Sequence, residues 1–141
     1  MKAKLKIVPL EVLNKGAHNT IMEVLDIKIT NLTEDYIEAT MPVDKRTHQV
    51  YGVMHGGASV VLAETLGSMG AMLTVDTDKF QCFGLDINAN HIKAVRTGRV
   101  TGRATPIHTG RSTQVWSIEI KNEAEELICI SRLTVAVVPA K

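Results

Sequence analysis

Ala58-Ser59-Val60-Val61-Leu62-Ala63-Glu64-Thr65-Leu66-Gly67-Ser68-Met69-Gly70-Ala71-Met72-Leu73-Thr74-Val75 is the stretch on which the fold turns. Its apolar residues cover most of a helical circumference: Val60, Val61, Leu62, Leu66, Met69, Met72 and Leu73. A helix apolar nearly all round belongs at the centre of a fold, not on its surface. The spacing predicts a helix over 58–75. Gly67 and Gly70 each cost about 1 kcal/mol of helix propensity, so they are expected where another backbone or a ligand comes close. With Ser68 and Ala71 they would also allow a second copy of the chain to approach the helix.

On the N-terminal side, Pro9 followed by Leu10 to Lys15 reads as a short helix closed by Gly16. The run from Ile21 to Val43 has a polar break at Asn31 to Asp35, which predicts two strands joined by a turn. On the C-terminal side the period becomes two. Phe83, Leu85, Ile87 and Ala89 form one row, and Val100, Gly102 and Ala104 a second with Arg99, Thr101 and Arg103 opposite. Trp116, Ile118 and Ile120 form a third, and Leu127, Cys129, Leu133 and Val135 a fourth. Turn signals fall at Thr97-Gly98, Thr109-Gly110 and Lys121-Asn122-Glu123. Long strands in series with short connections predict an antiparallel meander. One buried helix wrapped by such a sheet is an α+β architecture, here expected as one domain over 1–141.

Composition removes several classes of function. The 141 residues are 45% hydrophobic and 22% charged, ordinary for a globular chain. A net charge of +1 does not suit a general nucleic-acid binder. No apolar run approaches the roughly 18 residues of a membrane span. The lysines of the first ten residues lead into no long apolar segment, so no secretory signal is expected. Cys82 and Cys129 lack metal-ligand spacing and lie in strand-like stretches, which predicts buried free thiols in a reducing cytoplasm. No pair among His18, His48, His55, His91 and His108 has zinc spacing, so no metal is expected. Dinucleotide, P-loop and Gly-x-Ser-x-Gly signatures are absent.

Three features carry chemistry. Met54-His55-Gly56-Gly57 stands just before the helix, where unpaired N–H groups and the positive end of the helix dipole gather. Two residues without Cβ would let an acyl oxygen reach the backbone, as in an oxyanion hole; a glycine-rich turn that merely starts a helix reads the same way. Glu64 lies within the most apolar run, with Ser68 four residues on along the same face. A carboxylate there is either satisfied by irregular surroundings or kept to attack a carbonyl or activate water. Finally, Ile87 to Ile118 contains Lys93, Arg96, Arg99, Arg103 and Arg111 and no acidic residue. That stretch is either a solvated strand face or a phosphate-binding patch. Alternation puts Arg99 on the surface and Arg111 in a turn, with Arg111 first and Lys93 second as phosphate contacts.

Arg46 to Ser59, Leu62 to Ser68, Gly84 to His91, Pro106 to Arg111 and Ser131-Arg132-Leu133 together resemble the hotdog-fold acyl-CoA thioesterases. They are most similar to the 1,4-dihydroxy-2-naphthoyl-CoA and enterobactin-proofreading branch of the 4-hydroxybenzoyl-CoA and phenylacetate-pathway group. The resemblance implies one long central helix wrapped by an antiparallel sheet. It implies a catalytic carboxylate at Glu64, a carbonyl-polarising amide at Gly56, orienting roles for Gln49 and His55, and water placement by Ser68. It places Gly84 and His91-Ile92-Lys93-Ala94 along the pantetheine arm and acyl group. It places His108-Thr109-Gly110-Arg111-Ser112-Thr113 at the nucleotide end of CoA. It implies a site shared between two subunits of a homo-oligomer, a dimer of dimers, with CoA as part of the substrate and no separate cofactor. Val50-Tyr51 and Lys93-Ala94 depart from the pairs common in relatives. Two other readings stay open at this point: a non-catalytic acyl-CoA-binding module, and a thioester dehydratase on the same fold.

Overall fold

The computed structural model describes residues 2–141. Its N-terminal part carries two short helices, α1 (Leu10–Lys15) and α2 (Ile21–Val24), followed by strands β1 (Lys28–Leu32) and β2 (Ile37–Pro42). The long helix α3 (Gly56–Met72) comes next, then β3 (Phe80–His91), β4 (Arg99–Thr109), β5 (Thr113–Lys121) and β6 (Leu127–Pro139). All six strands form one antiparallel sheet in the order β1-β2-β4-β5-β6-β3. The sheet wraps α3, as the hotdog resemblance implies.

Three elements differ from the expectation. Ile21 to Val24 is helical: Thr20 caps it, its side chain accepting from the Met22 amide at 3.2 Å, and local capping outweighs the strand propensity of Ile21 and Val24. Helix α3 begins two residues early, because His55 supplies the cap, and ends at Met72. The meander covers only β4-β5-β6; β3 crosses over to pair with β6 at the sheet's end, and β2 takes the place beside β4. That crossover lets the sheet close over both flanks of one helix.

A bulge also breaks the expected row on β3. Gly84 pairs with Val135 and Asp86 with Thr134, so Leu85 is the extra residue. Inward-facing positions are therefore Phe80, Cys82 and Gly84 before the bulge and Ile87 and Ala89 after it. Phe83 (56% exposed) and Leu85 (63% exposed) lie outside the core. The other rows hold except at one end: Val100 and Ala104, then Trp116, Ile118 and Ile120, then Cys129, Leu133 and Val135 are all buried, whereas Leu127, the first residue of β6, is only half-buried. Each large aliphatic side chain removed from water in this way contributes about 1.5–3 kcal/mol. The two thiols are free, at opposite ends of the β3–β6 pair, and burial pushes both pKa values up.

The glycines of α3 are explained by the sheet beneath it. A Cβ at Gly70 would sit 2.6 Å from the indole of Trp116, and one at Gly67 2.6 Å from Leu133 Cδ2. Gly67, Gly70 and Ala71 are buried by the chain's own sheet, which leaves only Ser68 of the four small residues half-exposed. Gly67, Gly70 and Ala71 thus bring helix and sheet together and are not available to a second copy.

Trp116 is the protein's single tryptophan, and its Nε1 donates to Gln114 Oε1 at 2.8 Å. Gln114 in turn donates to Thr74 Oγ1 at 2.8 Å, so the ring cannot step aside. Gly70→Ala gains about 1 kcal/mol of helix propensity but overpacks a locked ring, which costs about 1–3 kcal/mol. The expected result is a lower melting temperature with altered tryptophan emission; an unchanged emission spectrum with raised stability would show that α3 can lift off the sheet freely.

Candidate active site

The loop before α3 is built to present its tip and the helix start. The Asp44 carboxylate accepts from the Arg46 amide at 2.9 Å and from its guanidinium at 2.6 Å. Thr47 is buried and its hydroxyl donates to the Pro42 carbonyl at 2.9 Å, while its own carbonyl accepts from the His55 amide at 2.7 Å. Met54 N–H donates to Val95 O and His48 Nε2 meets Arg96 O, both at 2.8 Å, so the loop is stapled to the segment after β3. Gly52, at φ 78°, closes a turn in which its amide donates to Gln49 O at 2.9 Å. Val50 and Tyr51 project from this turn, 97% and 82% exposed.

That turn also fixes Gln49. The Tyr51 amide donates to Gln49 Oε1, which leaves the carboxamide NH₂ free as a donor. At the start of α3, His55 Nδ1 accepts from Gly57 N–H at 2.7 Å, and His55 O accepts from Ala58 and Ser59. The Gly56 amide has no such partner among the described residues. It opens on a cleft of about 320 Å³ lined by Gln49, Gly56, Ser59, His91, Lys93 and Ala94, among others. The His91 ring packs on Gly56 so closely that a Cβ there would be 2.7 Å from Nε2. The cleft thus brings together two N–H donors, from Gly56 and Gln49, an imidazole, and the positive end of a 17-residue helix. Such an arrangement stabilises negative charge developing on a carbonyl oxygen.

The helix carboxylate lies elsewhere. Glu64 is half-buried, forms no ion pair among the described residues, and rests its carboxylate on the backbone of Gly84. Ser68, one turn on, lines a second cleft of about 480 Å³ with Thr65, Met69, Met72, Phe80 and Cys82. Gly56 and Glu64 are eight residues apart, which is about 12 Å along the helix axis. His108 to Thr113 form the β4–β5 turn, where Gly110 N–H donates to Thr113 O at 2.9 Å and His108 folds over Gly110. His55 is exposed beside the cleft, with Nδ1 committed to the helix cap.

The basic stretch is acid-free in sequence but not in space. Arg99 is no free surface residue: its guanidinium meets Asp26 Oδ2 at 3.3 Å, Asp26 O at 3.1 Å and Thr40 Oγ1 at 3.0 Å, clamping the turn before β1 to the sheet. Arg103 pairs with Glu38 at 2.9 Å and stacks over Tyr36. Lys93, on the cleft rim, is bound by Glu126, whose carboxylate also accepts from Asn122 Nδ2 at 3.0 Å. Lys93 and Asn122 hold the Glu126 pKa below its ordinary value. Arg111 stays exposed and has no carboxylate partner among the described residues. The acidic partners are 33 to 73 residues away in sequence, so no local pattern announces them; the same holds for Ser59, Val95 and Ile128 in the cleft wall.

Residues 51–129 match the model of the thioesterase superfamily. The chain belongs to that superfamily. Among relatives of this thioesterase, the proofreading thioesterase EntH of Cronobacter turicensis is 50% identical over 91% of this chain and 93% of its own length. The 1,4-dihydroxy-2-naphthoyl-CoA hydrolase of Escherichia coli is 47% identical over 92% of this chain and 95% of its own. The crystal structure of a Haemophilus influenzae thioesterase superposes with a TM-score of 0.93 at 50% identity, over 98% of this chain and 96% of that one.

The loop that holds Gln49 and His55 responds to acid in a defined direction. Arg46 lowers the Asp44 pKa from 3.8 to about 2, chiefly by hydrogen bonds from its guanidinium and amide. A folded-state pKa below the unfolded one gives stabilisation that is present above the unfolded value and lost as pH falls through the folded one. Asp44→Asn should therefore lower the melting temperature of this thioesterase by an amount that is constant from pH 7 to about 4 and closes toward pH 2. A gap that persists at pH 2 would assign the effect to the shape of the side chain and not to its charge.

Proposed function

We propose that this thioesterase hydrolyses a small acyl-CoA, preferably with an aromatic acyl group, to the free acid and CoA. The observation that carries the reading is the unpartnered Gly56 amide in a cleft with the Gln49 carboxamide, on the same helix as an unpaired carboxylate. In this reading Gly56 N–H and Gln49 polarise the thioester carbonyl, and His55 orients the thioester and its leaving group. Glu64 either attacks the carbonyl carbon or takes a proton from the attacking water, which Ser68 positions. The C–S bond breaks and the thiolate leaves with a proton as CoA; where Glu64 attacks, water then hydrolyses the acyl–Glu64 anhydride to the free acid and the Glu64 carboxylate, and where water attacks directly, the acyl carbon keeps its oxygen as the acid. Water and substrate suffice, with CoA arriving as part of the substrate.

One thioester carbonyl cannot meet both halves of the machinery in one chain, because about 12 Å of helix separates them. Gln49, His55 and Gly56 of one subunit therefore face Glu64 and Ser68 of a second copy. The terminal position of β3 in the sheet, with exposed Phe83 and Leu85 beside the Glu64 seat, supports pairing of copies there. A dimer of dimers is the proposed assembly, working in the cytoplasm, where free thiols such as Cys82 and Cys129 persist. The pantetheine arm runs past Gly84 and His91 to Ala94, and the nucleotide end meets His108 to Thr113. An aromatic acyl group is favoured by the naphthoyl substrate in the name of the E. coli relative.

The test is thiol release across aromatic, short-chain and long-chain acyl-CoAs. Glu64→Gln should lower turnover about 10²–10⁴-fold with an unchanged melting curve, and mixed oligomers of Glu64→Gln and Gly56→Val subunits should regain activity that neither has alone. Thiol release by a monomer, or undiminished turnover of Glu64→Gln, would remove the shared site or the catalytic carboxylate respectively. A second measurement concerns the nucleotide end. Lys93 is already paired, whereas Arg111 is exposed in the β4–β5 turn without a carboxylate partner among the described residues, and Arg111→Ala should raise KM for the CoA ester about three- to tenfold. KM for the corresponding pantetheine thioester should stay unchanged; equal losses on both would assign Arg111 to the acyl end or the fold.

A further inference from the structure

The space that holds the Glu64 carboxylate exists because residue 84 has no side chain. A Cβ at Gly84 would overlap Glu64 Oε2, lie 3.2 Å from Cδ and approach Leu133 Cδ1 at 3.4 Å. The carboxylate therefore lies flat on the β3 backbone with Leu133 as its floor. Leu133 is fully buried and fixed in turn by the notch at Gly67, where a Cβ would meet its other methyl at 2.6 Å.

Backbone conformation does not ask for glycine at this position. The positive-φ glycines are Gly52 and Gly98, so the Gly84 backbone is one that alanine adopts without strain. A glycine inside a strand weakens it, and of the nearest atoms a Cβ at position 84 would meet, the Glu64 carboxylate lies closer than Leu133 Cδ1. What remains is the carboxylate. We propose that Gly84 is a positioning residue for Glu64: the bare strand position and the Leu133 floor hold the reacting oxygens in place. The inference rests on the reading of Glu64 as the reacting carboxylate, and it gives Gly84 a role distinct from a contact to the pantetheine arm.

A methyl at this position forces the carboxylate to move by about 1 Å, a displacement that costs on the order of 10²-fold when it separates reacting groups. Gly84→Ala should lower kcat on an aromatic acyl-CoA by that order with KM changed less than about twofold. The melting temperature should hold or rise, since alanine suits a strand better than glycine. A crystal structure of Gly84→Ala should show the Glu64 carboxylate moved off β3. Glu64→Asp shortens the side chain by one methylene and vacates the contested space, so the two substitutions should be non-additive, Gly84→Ala costing less than about threefold in the Glu64→Asp background. A kcat loss of equal size in both backgrounds, a loss confined to KM, or an unmoved Glu64 in the crystal structure would overturn the proposal. If Glu64→Gln itself keeps full turnover, the catalytic reading falls instead, and the crystal structure alone then decides whether Gly84 seats the side chain.

Discussion

The close seating of α3 on the sheet is the constraint from which the rest follows. Trp116 and Leu133 press against helix positions 70 and 67, where any side chain would push the helix away. From the sheet side, a Cβ at Gly102 would come within 2.8 Å of Leu66 Cδ1. Short spacing at these three points fixes the helix in rotation as well as in distance. Rotation matters most, because it sends Leu62, Ala63 and Leu66 into the core and leaves Glu64, Thr65 and Ser68 along the margin toward β3. A carboxylate on an otherwise apolar helix is thereby kept at an accessible edge, without the large desolvation cost of a buried one.

The same rigid helix separates the two halves of the proposed chemistry. Its N-terminus carries dipole and free amide to the cleft with Gln49 and His91, and its middle carries the carboxylate to the bare position on β3. A helix cannot shorten, so the proposed chemistry draws its two halves from two copies of the chain. The positioning elements differ between the halves in a way that fits this division. Gln49 and His55 are held by a loop of short-range hydrogen bonds from Asp44 to Gly57, whereas Glu64 is held by steric fit between helix, β3 and β6.

Much of this was legible in the sequence, and the parts that were not share a cause. The central helix is readable because its apolar residues exceed any single face, and the rows on β4, β5 and β6 because apolar or small residues recur at every second position over most of each strand. Phe83 and Leu85 were misread because a bulge is one inserted residue with no compositional mark. Ile21 to Val24 were misread because a Thr cap acts at one position while propensity is summed over many. The crossover of β3 was hidden because strand order is a tertiary choice, and short connections alone favour a meander. At the site, Gly56 and Glu64 stood out by their local setting, whereas the seating role of Gly84 depends on a residue 20 positions earlier.

Charge makes the same point more sharply. Five cations in a stretch without acids read as one basic patch, yet Asp26, Glu38 and Glu126 reach Arg99, Arg103 and Lys93 from other elements. A patch of five would attract polyanions broadly. The folded chain instead spends three of these cations on structure: Arg99 ties the α2–β1 turn to β2 and β4, Arg103 ties β4 to β2, and Lys93 ties the cleft rim to the β5–β6 turn. Their fields are local and neutralised, so of the five cations Arg96, beside the cleft loop, and Arg111, after Gly110 in the β4–β5 turn, stay exposed without a carboxylate partner among the described residues. In the proposed reading, the phosphates of the ligand meet Arg111 in a turn and its reacting carbonyl meets the free Gly56 amide at a helix start. That layout suits the proposed acyl-CoA, and it depends on pairing three of the five cations away.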